Sequence, residues 1–109
     1  MSDVQSRIQQ LVESHKVLLF MKGTKSFPQC GFSNTCVQVL KKEGIPFETV
    51  NVLADPELRQ GIKEFSKWPT VPQLYIAGKF VGGSDIVTEM HQSGELSKEL
   101  VAAGVKAAS

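Results

Sequence analysis

A chain of 109 residues, 41% hydrophobic and 21% charged, has the make-up of one ordinary globular domain and excludes a disordered or fibrous polymer. Its longest apolar run, Val17 to Met21, is five residues, far below the roughly 20 that cross a bilayer as a helix, so no membrane role is expected. Twelve Lys and Arg against eleven Asp and Glu leave a formal charge of +1 with the signs interspersed, so no basic face is set aside for nucleic acid and none is expected as a partner.

The opening residues, Met1 to Arg7, lack the apolar core of a secretion signal and the Arg-rich, acid-poor character of a transit peptide. The expected location is the cytoplasm, or the plastid stroma or mitochondrial matrix if a leader was removed. Ile8, Leu11 and Val12 recur at helical spacing and predict an amphipathic helix from about Asp3 to His15. Val17 to Met21 reads as a strand buried on both faces. After a loop ending at Pro28, Phe32, Cys36, Val39 and Leu40 follow a helical rhythm that stops near Gly44.

Phe47 to Val52 reads as a second strand, and Asp55-Pro56-Glu57 opens a third helix with Asp as cap and Pro in the first turn. Strand, helix, strand implies a right-handed crossover between parallel strands. Gln73 to Ala77, a turn at Gly78-Lys79, and Phe80-Val81 predict a hairpin. Gly82-Gly83-Ser84-Asp85 then leads into a final helical stretch that Gly94 interrupts. The expected architecture is α/β, βαβ followed by ββα with one extra N-terminal helix, in a single domain over residues 1–109.

Chemistry concentrates between Lys22 and Ser33. Two cysteines are too few for a disulfide scaffold and fit a reducing compartment. Cys30 lies where a loop becomes a helix, so backbone N–H groups and the helix dipole favour its thiolate, and the crossover brings Lys22 close by. Cys36 is no resolving partner. Six residues of helix rise about 9 Å, while a disulfide needs Cα atoms within about 7 Å; Cys36 reads instead as a small buried hydrophobe. Ser33 stands where a dithiol protein would carry its second cysteine, so Cys30 needs an external thiol. His15 and His91 read as surface residues.

Cys30-Gly31-Phe32-Ser33, with Met21-Lys22-Gly23 before it and Trp68-Pro69-Thr70-Val71-Pro72-Gln73 and Gly82-Gly83-Ser84-Asp85 after it, resembles the monothiol glutaredoxins of the CGFS class. The resemblance covers nearly the whole chain. It implies a thioredoxin-like fold with a four-stranded mixed sheet flanked by helices, and a glutathione site at Cys30, Gly31 and Phe32. Within that site Lys22 would approach the thiolate and the glycine carboxylate. Arg59 would bind carboxylate as a planar fork, with Lys63 adding charge. Thr70-Val71-Pro72 would present the Val71 backbone beside a cis proline to the cysteine portion of glutathione. Gly82 and Gly83 would let the ligand come close, while Ser84 and Asp85 at a helix start would meet the γ-glutamyl end. Trp68 reads equally well as site wall or core. The family often has cysteine at position 84; Ser84 removes any resolving role there.

Two functions follow from the resemblance. One is a carrier whose [2Fe-2S] cluster is held in a homodimer by two Cys30 thiolates and two glutathione thiolates, with apo iron-sulfur proteins and a BolA-like protein as partners. The other is a glutathione-dependent oxidoreductase in which Cys30 is the single nucleophile.

Overall fold

The computed structural model describes residues 3–107; the ends of the expected domain, residues 1–2 and 108–109, lie outside the described residues. The elements are α1 (Asp3–Ser14), β1 (Val17–Met21), α2 (Gly31–Glu43), β2 (Glu48–Asn51), a 3-10 turn (Val52–Ala54), α3 (Pro56–Ser66), β3 (Gln73–Ile76), β4 (Lys79–Gly82), α4 (Ser84–Ser93) and α5 (Glu95–Ala102). The sheet order is β2-β1-β3-β4. β1 and β2 run parallel, and β1–β3 and β3–β4 antiparallel, giving the βαβ and ββα halves that the element order predicts.

All five β1 residues are buried because the strand feeds two cores. Val17, Leu19 and Met21 pack with residues of α2, α4 and α5 on one face, including Cys36, Leu40, Val87 and Leu96. Leu18 and Phe20 pack on the other with Val4, Ile8 and Val12 of α1 and Leu58 and Ile62 of α3. Alternation of side chains across a strand makes this division unavoidable once helices cover both faces. α3 starts as expected: the Asp55 side chain accepts from the Leu58 N–H at 3.1 Å, with Pro56 in the first turn. Arg7 of α1 pairs with the same carboxylate at 3.0 Å.

Three local expectations are corrected. The second strand is shorter than 47–52, because the Asn51 side-chain oxygen accepts from the N–H groups of Gly23 and Leu53 and turns the chain into the 3-10 turn. The hairpin turn is Ala77-Gly78, one residue earlier than expected, since Ile76 pairs directly with Lys79. Both turn residues have positive φ (52° and 80°), the geometry of a two-residue hairpin loop. Phe32, counted on the buried stripe of α2, is 64% exposed; it is the second residue of the helix, and the buried stripe starts one residue later at Ser33. Among the described residues no helix is long and apolar enough to cross a membrane.

Candidate functional site

The segment between β1 and α2 is fastened along its length. The Gln29 N–H donates to the Lys22 carbonyl at 2.9 Å, and Thr24 and Phe27 exchange backbone hydrogen bonds at 3.1 Å. At Gly23 a Cβ would lie 2.5 Å from the Gln29 nitrogen, so only glycine permits the return of the loop on itself. Lys25 donates to the Phe47 carbonyl at 2.5 Å and sits 4.3 Å over the Phe47 ring. These ties leave Phe27 at the surface, 75% exposed, and deliver Cys30 to the N-cap position of α2.

Cys30 makes no complete side-chain cap bond, yet its sulfur feels the helix start. The Ser33 backbone N–H lowers its pKa most; burial opposes, and the Phe32 N–H, the Lys22 charge and the Ser33 hydroxyl add to the lowering. Ser33 is more than a missing thiol. It is fully buried, and its oxygen accepts from the Lys22 N–H at 3.0 Å, fixing the end of β1 to the first turn of α2. Cys36 is fully buried and its thiol is pushed up to about 12, by burial first and then by the neighbouring Cys30. Both cysteines are free.

A cleft of about 420 Å³ opens beside Cys30, within the range of sites for small ligands. Its floor is Lys22, Cys30 and Phe32; α3 contributes Arg59 and Lys63. The 68–72 loop supplies Trp68 together with Thr70, Val71 and Pro72, and the Val71–Pro72 bond is cis. Gly83, Ser84 and Asp85 close the third side. Of the residues that the sequence placed at the site, Gly31 and Gly82 lie outside this lining. Trp68 is resolved as site wall, 39% exposed. Pro69 and Ile86 were missed; an isolated Ile in an amphipathic helix reads as core, and no local signal marks it otherwise.

Gly82 has a different use from the one expected. With φ at 154°, a Cβ there would come within 2.7 Å of the Ile86 side chain, so its bareness serves the seating of α4. The N-cap of α4 is Gly83 with no side-chain cap, which leaves Ser84 and Asp85 out of capping. His91 is not a free surface residue. Its Nδ1 lies 2.5 Å from the Glu43 carboxylate, whose other oxygen accepts from Lys106 at 2.6 Å.

Three cationic side chains against one carboxylate bias the cleft toward anions. Among the described residues no group of three or more His, Cys, Asp or Glu is placed to hold a metal ion, so a soft metal would find one protein thiolate per chain. A thioredoxin-like sheet carrying a single reachable thiol at a helix start defines a one-cysteine thiol protein.

Residues 17–81 match the glutaredoxin family model. The chain is 62% identical over 98 residues to an uncharacterized monothiol glutaredoxin ycf64-like of Synechocystis, covering 90% of this chain and 92% of that one. It is 57% identical to the chloroplastic monothiol glutaredoxin-S7 of rice, over 90% of this chain and 58% of that longer protein. Among solved structures, reduced poplar apo GrxS14 superposes with a TM-score of 0.81 at 57% identity, covering 92% of each chain. The buckwheat glutaredoxin-glutathione complex gives 0.84 at 26% identity, over 95% of this chain and 93% of that one. The chain belongs to the glutaredoxin family, on its monothiol branch.

Proposed function

We propose that the protein carries [2Fe-2S] clusters in a glutathione-dependent manner, holding the cargo between two copies and passing it to apo-proteins. The observation that carries this reading is ligand arithmetic. Each chain presents one reachable thiolate, and the described residues offer no metal-binding cluster of their own. Four thiolates therefore require two copies and two small thiols. Glutathione suits the second pair. Its two carboxylates match Lys22, Arg59 and Lys63, its amino group matches Asp85, and its extended cysteine portion matches the Val71 backbone. A cluster half-ligated by an exchangeable tripeptide is readily handed on, and apo iron-sulfur proteins with a BolA-like protein are the partners that the family resemblance implies. The setting is a reducing compartment: cytoplasm, plastid stroma or mitochondrial matrix.

Anaerobic reconstitution with iron, sulfide and glutathione, read by visible absorption and gel filtration beside a Cys30→Ser control, tests it. Absorption in a dimer-sized peak that requires both Cys30 and glutathione is the expected result. A colourless monomer that rapidly reduces a glutathionylated substrate overturns it in favour of the second reading, a glutathione-dependent oxidoreductase. The lowered pKa of Cys30 favours that alternative, because the thiolate is the attacking species.

A further inference from the structure

The two walls of the cleft are built differently. Cys30 sits on backbone hydrogen bonds, whereas outside helices and strands no backbone-to-backbone hydrogen bond ties residues 68–72 to the rest of the described chain. That loop is held by side chains from beneath. Gln73, fully buried, donates both amide protons to loop carbonyls, to Thr70 at 3.0 Å and Trp68 at 3.3 Å. Its oxygen accepts from the Tyr75 hydroxyl at 3.2 Å. The amide orientation is forced by chemistry: turned over, its oxygen would face two carbonyl oxygens. Burial pushes the Tyr75 phenol up to about 12, so it remains a donor at any working pH. From the end of α3 the Ser66 hydroxyl oxygen accepts from the Trp68 N–H at 3.1 Å. The amide nitrogen of Gln73 is thus engaged in fixing where the loop backbone lies, while its oxygen is held by Tyr75.

We propose that Gln73 is a positioning residue of the ligand cleft: it aims Trp68, Thr70 and Val71 at Cys30 by gripping the two loop carbonyls, and so sets affinity for a peptide-bearing disulfide without touching the reacting sulfur. This rests on the reading of the cleft as a glutathione site. A buried Gln whose two donors both go to one loop has no role in the strand ladder that would require an amide; Leu or Met would pack as well. The loop would otherwise sample other backbone positions, and the ligand would bear the ordering cost on binding.

The test uses attack of the Cys30 thiolate on a disulfide: a Cys30–S–S–R bond forms, the reagent's S–S bond breaks, and one thiolate leaves. Rates with glutathione disulfide and with 2-hydroxyethyl disulfide, which has no peptide groups, are compared in the full chain. Wild type is expected to favour glutathione disulfide strongly. In Gln73→Met the rate with glutathione disulfide falls about tenfold while the 2-hydroxyethyl disulfide rate stays within about twofold, the scale of a net hydrogen bond or two. Fluorescence anisotropy of Trp68, the one tryptophan of the chain, falls in the same variant before any ligand is added. Gln73→Asn, which withdraws the amide by one methylene, gives the same comparison if Met is not tolerated. Tyr75→Phe removes a buried hydrogen bond but leaves both loop carbonyls held, and keeps the wild-type preference within about threefold. If Tyr75→Phe loses the preference as fully as Gln73→Met, the effect follows stability and the inference falls. If wild type prefers glutathione disulfide and Gln73→Met does too, the inference alone falls. If wild type shows no preference, the glutathione reading fails and takes this inference with it.

Discussion

Helix α2 carries an ionisable acid at each end, and the two ends stabilise their anions by opposite means. At the N-terminus the helix itself does the work: free N–H groups of the first turn face Cys30 and favour its thiolate. At the C-terminus Glu43, 8% exposed, faces the negative end of the same dipole in a buried site. Burial raises its pKa, but hydrogen bonds and charge from Lys106 and His91 more than offset this, and the net shift is downward. An anion at a helix start needs little from the tertiary fold; one at a buried helix end must recruit basic side chains from elsewhere, here His91 of α4 and Lys106 after α5. Between them Cys36 has neither kind of support, and its thiol stays protonated.

The largest way to break this comparison is Cys30→Ser. Alkylation by iodoacetamide near neutral pH is expected to fall at least about 100-fold, because the remaining thiol is buried and protonated. Mass spectrometry of wild type sharpens the same point: one label at pH 7 in the folded protein, two in denaturant. Two labels on the folded chain at equal rates would contradict the assignment of Cys36 to the core.

Glu43→Gln comes next, with an expected destabilisation of about 1–2 kcal/mol read from the urea midpoint, since Lys106 and His91, both partly exposed, lose their carboxylate partner. The pH dependence has a definite sign. The folded pKa of Glu43 lies below its unfolded value, so its contribution is complete above the unfolded carboxyl range and is lost as pH falls through the folded value. Wild type should therefore approach the stability of Glu43→Gln as pH falls below the ordinary carboxyl value of 4.5 and through the lower folded value. A difference between the two proteins that grows on acidification would refute this pairing.

Ser33→Ala tests the other end more gently. Loss of its hydroxyl removes one influence that lowers the Cys30 pKa and strands the Lys22 N–H. The midpoint of the alkylation pH profile moves up, and stability falls by about 1 kcal/mol. Cys36→Ala, the smallest chemical change, lowers stability by about 1 kcal/mol through a small cavity, while the Cys30 midpoint stays where it is within about 0.3 of a pH unit. A midpoint that moves further would mean that the two halves of α2 are not independent.

The placement of Cys30 was legible in the sequence because its causes are local: a loop ending at Pro28-Gln29, a helix beginning at Gly31, and a strand ending at Lys22. The resemblance located Arg59, Thr70-Val71-Pro72 and Ser84-Asp85, which the cleft brings within reach of Cys30. What escaped were features whose partners are distant in the chain. His91 looked like a surface residue because Glu43 lies 48 positions away; Ile86 carried no local sign of a site; Gly82 looked like a ligand contact when its neighbour is a side chain of α4. Ser33 was read for the sulfur it lacks and not for the strand end that it fastens.

By itself the sequence determined the order of elements, the two-faced burial of β1 and the single reactive cysteine, since periodicity, caps and turn residues act over a few positions. The tertiary structure alone decided which polar groups meet beneath the surface, the hold of Gln73 on the 68–72 loop and of Glu43 on the distant His91 and Lys106, because a buried donor or charge must find whatever partner the packed elements bring to it.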